Sequence, residues 1–95
     1  MKLTSKQRAY LRGIATRENT ILQLGKEGLT ENFVQSVDTA IAKREIVKFR
    51  VLESAMISPR AAAEETAQRI GAQVVTVIGS RAVLYRMSED NILEL

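Results

Sequence analysis

The chain has 95 residues, neither cysteine nor histidine, and a formal net charge of +3 at pH 7. This length suits one domain, the absence of cysteine excludes disulfides and thiolate metal sites, and the absence of histidine removes the commonest general base and zinc ligand. With neither a signal-like apolar core after Met1 nor a membrane-length apolar stretch, we expect a cytoplasmic domain spanning residues 1–95 that needs no membrane, metal or cofactor.

The N-terminal segment predicts a helix. Thr4 and Gln7 have the spacing of a capping box, and the helix should run to about Thr16. Its predicted apolar face consists of Tyr10, Leu11 and Ile14.

This first helix is basic throughout. Five cations precede the first acidic residue, Glu18: Lys2, Lys6, Arg8, Arg12 and Arg17. Such asymmetry favours a polyanion such as nucleic acid, although a solvated basic face balanced by acids elsewhere is equally consistent with it. Arg8 and Arg12 are four residues apart, where like charges cost stability. We therefore expect a counter-ion there, either a phosphate or a nearby carboxylate.

A Gly-x-x-Gly loop at residues 25–28 lies between a predicted strand, 20–24, and a second helix whose N-cap is Thr30. Glycine permits φ > 0 and close approach of another molecule, while a helix N-terminus presents free N–H groups and a positive dipole end. Lys26 adds a full charge. The sequence therefore predicts a phosphate site formed by Gly25, Lys26, Glu27, Gly28 and Thr30.

The tetrapeptide alone is also typical of an ordinary tight turn. In KH domains a Gly-x-x-Gly loop clamps single-stranded nucleic-acid backbone. There the loop joins two helices, so the parallel concerns mechanism and not fold.

A second strand is predicted over residues 46–52, where apolar and basic residues alternate. Lys48 and Arg50 lie on one side, and Val47, Phe49 and Val51 lie on the other. The two cations could extend a phosphate track, or they could protect a sheet edge from unwanted pairing.

The remaining elements complete an α/β pattern. Ser58 is the predicted N-cap of a third helix that ends at Gly71. Strands over 73–78 and 81–86 are joined by a two-residue hairpin turn, Gly79-Ser80. The order α1-β1-α2-β2-α3-β3-β4 predicts a mixed four-stranded sheet with three helices. The tail, 87–95, should either dock as a short strand or fray.

Catalytic groups are few. Glu64 and Glu65 are adjacent on a helix and diverge by about 100°, so they cannot serve one site. The loop at 25–28 matches neither the P-loop nor the dinucleotide fingerprint. We therefore expect no enzyme activity and no catalytic residue.

Five segments, residues 3–12, 23–32, 44–48, 77–80 and 83–86, together resemble the CRM domain (chloroplast RNA splicing and ribosome maturation) in its stand-alone bacterial, YhbY-like form. The resemblance implies an RNA-binding domain with a mixed four-stranded sheet and three helices, similar to the C-terminal domain of translation initiation factor three. It also implies association with precursors of the large ribosomal subunit. The family's proposed RNA contact maps onto residues 25–28. Glu27 departs from the neutral residue that is common there, and a carboxylate facing RNA would weaken binding.

We therefore expect a monomer whose partner is RNA, in the form of ribosomal RNA or a large-subunit precursor particle. The loop residues would grip the backbone, and cations assigned from the charge pattern alone would add longer-range attraction: Arg8, Arg12, Lys48 and Arg50. The alternative is a protein-interaction or regulatory module that binds no RNA. A salt-sensitive affinity for RNA would distinguish the two.

Overall fold

The order of helices and strands follows the sequence pattern. The computed structural model describes residues 2–95, which form α1 (Ser5–Ala15), β1 (Leu22–Leu24), α2 (Glu31–Arg44), β2 (Ile46–Val51), α3 (Pro59–Ile70), β3 (Gln73–Ile78) and β4 (Arg81–Tyr85). A 3₁₀ turn at Glu53–Ala55, which the sequence did not predict, follows β2. Among residues 2–95, no helix has the length and apolar character needed to cross a membrane.

The predicted helix ends are confirmed by their hydrogen bonds. The Gln7 N–H donates to Thr4 Oγ1 at 3.1 Å, and the Thr4 N–H donates to Gln7 Oε1 at 3.0 Å, which completes the capping box. Ser58 caps α3, and Pro59 occupies its first position. Gly71 ends the helix with φ of 69°, a left-handed conformation that glycine adopts without strain.

The sheet is mixed, with strand order β1-β2-β4-β3. β1 and β2 are parallel, whereas β4 pairs antiparallel with both β2 and β3. Thus the β3–β4 hairpin folds back so that β4, the last strand, lies between β2 and β3. This order brings the hairpin turn to the same end of the sheet as loop 25–28: the Val51 N–H donates to the Ser80 carbonyl at 2.7 Å, and the Leu52 N–H donates to the Leu24 carbonyl at 2.9 Å.

Each face of the sheet has its own core. Helices α2 and α3 cover one face, where the Phe33 and Phe49 rings meet edge to face at 5.3 Å. Helix α1 covers part of the other face, together with the C-terminal tail. The buried residues of this second core are Leu3, Leu11, Ala15, Ile46, Val75, Val83 and Tyr85.

Two local expectations are wrong. β1 begins at Leu22 rather than at residue 20, and only the Ile21 N–H, which donates to the Lys48 carbonyl, extends its pairing. Tyr10 is not part of the apolar face of α1: it is 52% exposed, and its hydroxyl donates to the Leu93 carbonyl at 3.4 Å. Leu11, which was predicted on the same face, is fully buried in the core of the α1 side. The ring of Tyr10 lies at the border between α1 and the tail.

The C-terminal tail neither pairs as a strand nor frays, because the carboxylate of Glu45 holds it. Glu45 is fully buried, follows α2 and has φ of 68°, an unusual conformation for a residue with a side chain. Its Oε2 accepts from the Ser88 N–H at 2.8 Å, the Ser88 hydroxyl at 2.5 Å and the Ile92 N–H at 3.0 Å. Its Oε1 accepts from the Leu93 N–H at 2.9 Å.

These four donors decide the charge state of the buried carboxyl. Burial raises the pKa of Glu45, but the Ser88 hydroxyl and the three backbone N–H groups lower it by more, so the net pKa lies below its usual value of 4.5. Burial, and then the charge of Glu45, raise the pKa of Tyr85 above its ordinary value. The tail is therefore bound by an ionised carboxylate.

We predict that Glu45→Gln lowers the free energy of unfolding at neutral pH by about 3 kcal/mol, because an amide cannot accept from four donors and its NH₂ group faces N–H groups. A group with a depressed folded-state pKa stabilises the fold above its unfolded pKa, and that contribution is lost as the pH falls through the folded value. The stability gap between wild type and Glu45→Gln, measured by urea unfolding, should therefore be complete well above the usual carboxyl pKa of 4.5 and should narrow as the pH falls below it.

Ser88→Ala is the control variant. It removes one donor and leaves the other three and the carboxylate, so its loss of stability should be smaller than that of Glu45→Gln. Its acid dependence should be weaker than that of wild type, because the Ser88 hydroxyl is the donor that lowers the Glu45 pKa most. A gap between wild type and Glu45→Gln that does not change with pH would contradict the role of the carboxylate charge.

Candidate nucleic-acid interface

Loop 25–28 is a closed turn at the end of β1. The Gly28 N–H donates to the Gly25 carbonyl at 2.9 Å, which places Lys26 and Glu27 at the two central positions of the turn. Gly28 has φ of 74°, a conformation that most residues with side chains avoid. Both central side chains are exposed. The turn therefore presents Lys26 and Glu27 to solvent.

The N-terminus of α2 begins beside this turn. Thr30 is the N-cap, and its Oγ1 accepts from the Phe33 N–H at 3.1 Å. The capping bond leaves the N–H groups of Glu31 and Asn32 without intrahelical acceptors, as at any helix start. The hydroxyl of Thr30 is thus engaged in capping, and the anion-binding groups at this point are backbone N–H groups and the dipole of α2.

The charged residues in and beside the loop differ in whether they have an ion-pair partner. Within residues 2–95, Lys26 has no carboxylate within ion-pair distance, whereas Glu31 in the first turn of α2 pairs with Arg69 at 3.7 Å. Glu27 is exposed next to Lys26. The loop therefore offers one free cation, and Glu27 is the acid that would most directly oppose an approaching phosphate.

The alternation predicted for β2 is confirmed. Val47, Phe49 and Val51 enter the core under α2 and α3. Lys48 and Arg50 lie on the α1 side of the sheet. Lys48 is half-buried, and its Nζ donates to the Ala15 carbonyl at 3.2 Å and the Glu18 carbonyl at 3.5 Å. Lys48 thus interacts favourably with the negative end of the α1 dipole. It helps to hold α1 on the sheet, whether or not it also binds RNA.

Arg50 stands opposite an arginine that the sequence analysis did not single out. In the register of β2 and β4, Arg50 pairs with Arg81, and both are exposed. Like charges directly across a ladder are destabilising, and neither has a carboxylate partner in the described chain. The sequence of β4, where the buried residues Ala82 and Val83 follow Arg81, could not reveal this pair. The pair forms only because β4 is the neighbour of β2 in the sheet.

Arg8 and Arg12, the two arginines of α1 that were predicted to act together, have different surroundings. The Arg8 Nη1 donates to the Val74 carbonyl and, at 3.2 Å, to the Val75 carbonyl, where β3 has a bulge. Within residues 2–95 no carboxylate pairs with Arg8, and its guanidinium contacts backbone oxygens that the bulge removes from the ladder. A phosphate at this position stays a prediction. Arg12 is exposed and has no acidic partner among residues 2–95.

The structure thus groups the predicted residues in two neighbouring places. The loop residues and Thr30 surround a depression that Gln23 and Phe33 also line. Gln23 pairs in register with Arg50, so β1 links the loop to the basic face formed by Arg12, Lys48, Arg50 and Arg81. Arg8 is held against the carbonyls of Val74 and Val75 in β3 and is not among the residues that line the loop depression. In the part of the chain that the structure describes, no three acidic side chains converge on a metal-sized site.

Comparisons with known proteins agree in family and fold. Residues 3–86 match the CRS1/YhbY (CRM) domain. YqeI of Bacillus subtilis, named as a probable RNA-binding protein, is 34% identical over 94% of this chain and 93% of its own length. A protein of Haemophilus influenzae named as an RNA-binding protein is 30% identical over 98% of this chain and 94% of its own length.

The same similarity extends to three dimensions. A solution structure of a Staphylococcus aureus protein, described as a candidate for RNA binding, superposes with a TM-score of 0.77. It is 34% identical to this chain and covers 95% of it, and the match includes 94% of the Staphylococcus aureus chain. A small α/β domain with a mixed four-stranded sheet and three helices, as expected from the sequence, is therefore confirmed.

We predict that replacing Arg8 and replacing Arg12 have different effects on the stability of the fold. Arg8→Gln should lower the free energy of unfolding by about 1–3 kcal/mol, because it leaves partly buried carbonyls at the bulge without a charged donor. Arg12→Gln should change it by less than about 0.5 kcal/mol, as is usual at an exposed position. Urea unfolding of both variants provides the measurement, and equal stabilities would show that the Arg8 contacts carry no net energy.

Proposed function

This chain belongs to the CRS1/YhbY (CRM) domain family, and from that premise we propose that it is an RNA-binding protein. The relatives that match it along nearly their whole length are named for RNA binding. We propose further that loop 25–28 and the N-terminus of α2 hold the RNA backbone. The observation that carries this assignment is the exposed Lys26, which has no acidic partner among residues 2–95 and lies in a turn that leads to a helix N-terminus.

The geometry of the loop suits a phosphate better than a base. Backbone N–H groups and a helix dipole attract negative charge without reading sequence. The space around Gly28 is open, since a Cβ built there would have the Ala55 carbonyl oxygen as its nearest neighbour, at 3.9 Å. Binding through this loop should therefore tolerate changes of RNA sequence.

The basic face of the sheet extends the same attraction. Among residues 2–95, its cations Arg12, Arg50 and Arg81 lack acidic partners, and Arg50 is in register with Gln23, which lines the loop depression. A chain of phosphates crossing from the loop to this face would meet positive charge along its path. We propose that the RNA follows this path.

Within this proposal the protein acts without catalysis, as a cytoplasmic monomer on ribosomal RNA or a large-subunit precursor particle. The absence of cysteine and histidine and the scattering of the acids support a binding role. The RNA target can be identified by crosslinking in cells and sequencing the attached RNA. Recovery of large-subunit precursor RNA is the expected result.

One prediction of this proposal concerns salt. Affinity for a single-stranded RNA should fall with added salt, with a log–log slope of about −0.7 for each phosphate contacted. Lys26→Ala should weaken binding only a few-fold and make the slope shallower by about 0.7, because it removes one charge and leaves the backbone donors. Filter binding across a series of salt concentrations gives both numbers, and an affinity independent of salt would favour a protein-interaction module instead.

Another prediction concerns Glu27, the acid of the loop, and Gly28 beside it. Gly28→Asp should reduce RNA affinity about tenfold more than Gly28→Asn, since the two side chains have the same shape, both enter the left-handed region comparatively well, and only one is charged. Glu27→Gln should tighten binding if the carboxylate faces the RNA and leave it unchanged if it faces solvent.

Circular dichroism separates these effects from unfolding. A folded Gly28→Asp protein with wild-type affinity would remove loop 25–28 from the binding site. Equal losses in the Asp and Asn variants would assign the effect to backbone strain rather than to charge.

A further inference from the structure

A second cavity lies on the α1 side of the sheet, away from loop 25–28. It is a cleft of about 350 Å³ between the C-terminal turn of α1 and the β3–β4 hairpin. That volume falls in the lower part of the range of roughly 300–1,000 Å³ for small-molecule sites. The cleft exists because α1 covers only part of this face, so the sheet beyond its last turn is not covered by any helix.

The floor and walls of the cleft are largely apolar. Ala15 of α1 and Val83 of β4 are buried at its base. Ile78, at the end of β3, is 69% exposed, which is high for a large aliphatic side chain at a sheet edge. Thr76, next to Val83 in the register, adds a hydroxyl. A flat apolar group with polar edges would fit these surroundings.

Cations surround this apolar surface. Arg12, Lys48 and Arg81 all line the cleft, and Arg50 adjoins it as the cross-strand partner of Arg81. Every ion pair found among residues 2–95 involves α2 or α3, on the other side of the molecule or at its end. The rim of the cleft is therefore positive and free of acidic partners, which specifies an anionic occupant.

We propose that this cleft takes one unstacked nucleotide of a single-stranded RNA, with the base against Ile78 and Val83 and its phosphates between Arg12 and Arg81. The inference rests on the proposed function and adds a base-contacting site to the backbone contact at loop 25–28. A nucleotide can contact both the apolar floor and the cationic rim. A phosphate alone would leave the apolar floor uncovered, and an apolar peptide would leave the cations of the rim unpaired.

The cleft also accounts for the Arg50–Arg81 pair. Two like charges opposed across a ladder cost stability in the free protein. A phosphate placed between or beside them relieves that repulsion. Binding at the cleft should therefore stabilise the fold more than the loop contact alone would.

The test compares two RNA-like probes of equal charge. One is a short oligouridylate, and the other has the same sugar–phosphate backbone with the bases removed. Wild-type protein should bind oligouridylate at least about fivefold more tightly by fluorescence anisotropy, since covering about 40 Å² of apolar surface corresponds to roughly that factor. Ile78→Ser should abolish this preference and keep the affinity for the abasic probe.

Each test variant has a control with the same substitution outside the cleft: Ile92→Ser for Ile78→Ser, and Arg44→Gln for Arg81→Gln. Ile92→Ser changes an isoleucine that is 51% exposed in the tail, outside the cleft, and should retain the base preference. Arg81→Gln should weaken binding of both probes, whereas Arg44→Gln, which removes an equal charge at the exposed end of α2, should weaken it less.

The outcomes separate this inference from the function on which it rests. Equal wild-type affinity for the two probes would overturn the base site and leave backbone binding intact. Affinity for neither probe would overturn the proposed function itself. Displacement of oligouridylate by polyglutamate at equal charge concentration would assign the cleft to acidic polypeptides and would also overturn the inference.

Discussion

The arrangement of this domain depends on one buried carboxylate. Glu45 stands where α2 ends and β2 begins, and its two oxygens accept four hydrogen bonds from residues 88–93. Its backbone takes part as well, because the Arg86 N–H donates to the Glu45 carbonyl at 2.9 Å. One residue thereby joins the middle of the chain to its last segment. A buried charge is tolerated only when it is so fully satisfied.

That contact determines what covers the second face of the sheet. With the tail fixed, Leu93 and Leu95 pack beside α1 over the core that contains Tyr85 and Ile46. Helix α1 and the tail together cover the half of the face near residues 46 and 85, and they leave the half near Arg50 and Arg81 open. The cleft and the basic face thus exist because α1 and the tail cover only part of this side of the sheet.

Charge is segregated between the two sides of the sheet. The ion pairs of residues 2–95 use acids of α2 and α3, such as Asp38, whose Oδ1 lies 2.6 Å from Arg86 Nη1. On the α1 side, cations that contact the protein do so through carbonyl oxygens, as Arg8 and Lys48 do. Backbone carbonyls do not cancel a full charge, so this side of the molecule keeps a positive field.

Local chemistry was enough to predict from the sequence every α-helix and strand in order, the caps at Thr4, Thr30 and Ser58, and the turn at residues 25–28, but not the 3₁₀ turn at Glu53–Ala55. Capping, glycine conformation and alternation act over a few residues, so they can be read without knowing the fold. Tertiary structure decided the rest. The insertion of β4 between β2 and β3 put Arg81 opposite Arg50, the bulge in β3 engaged Arg8, and the position of the tail gave Glu45 its four donors. These pairings join residues tens of positions apart, and a strand's neighbours and a buried group's partners are fixed only when the whole sheet and both cores have formed.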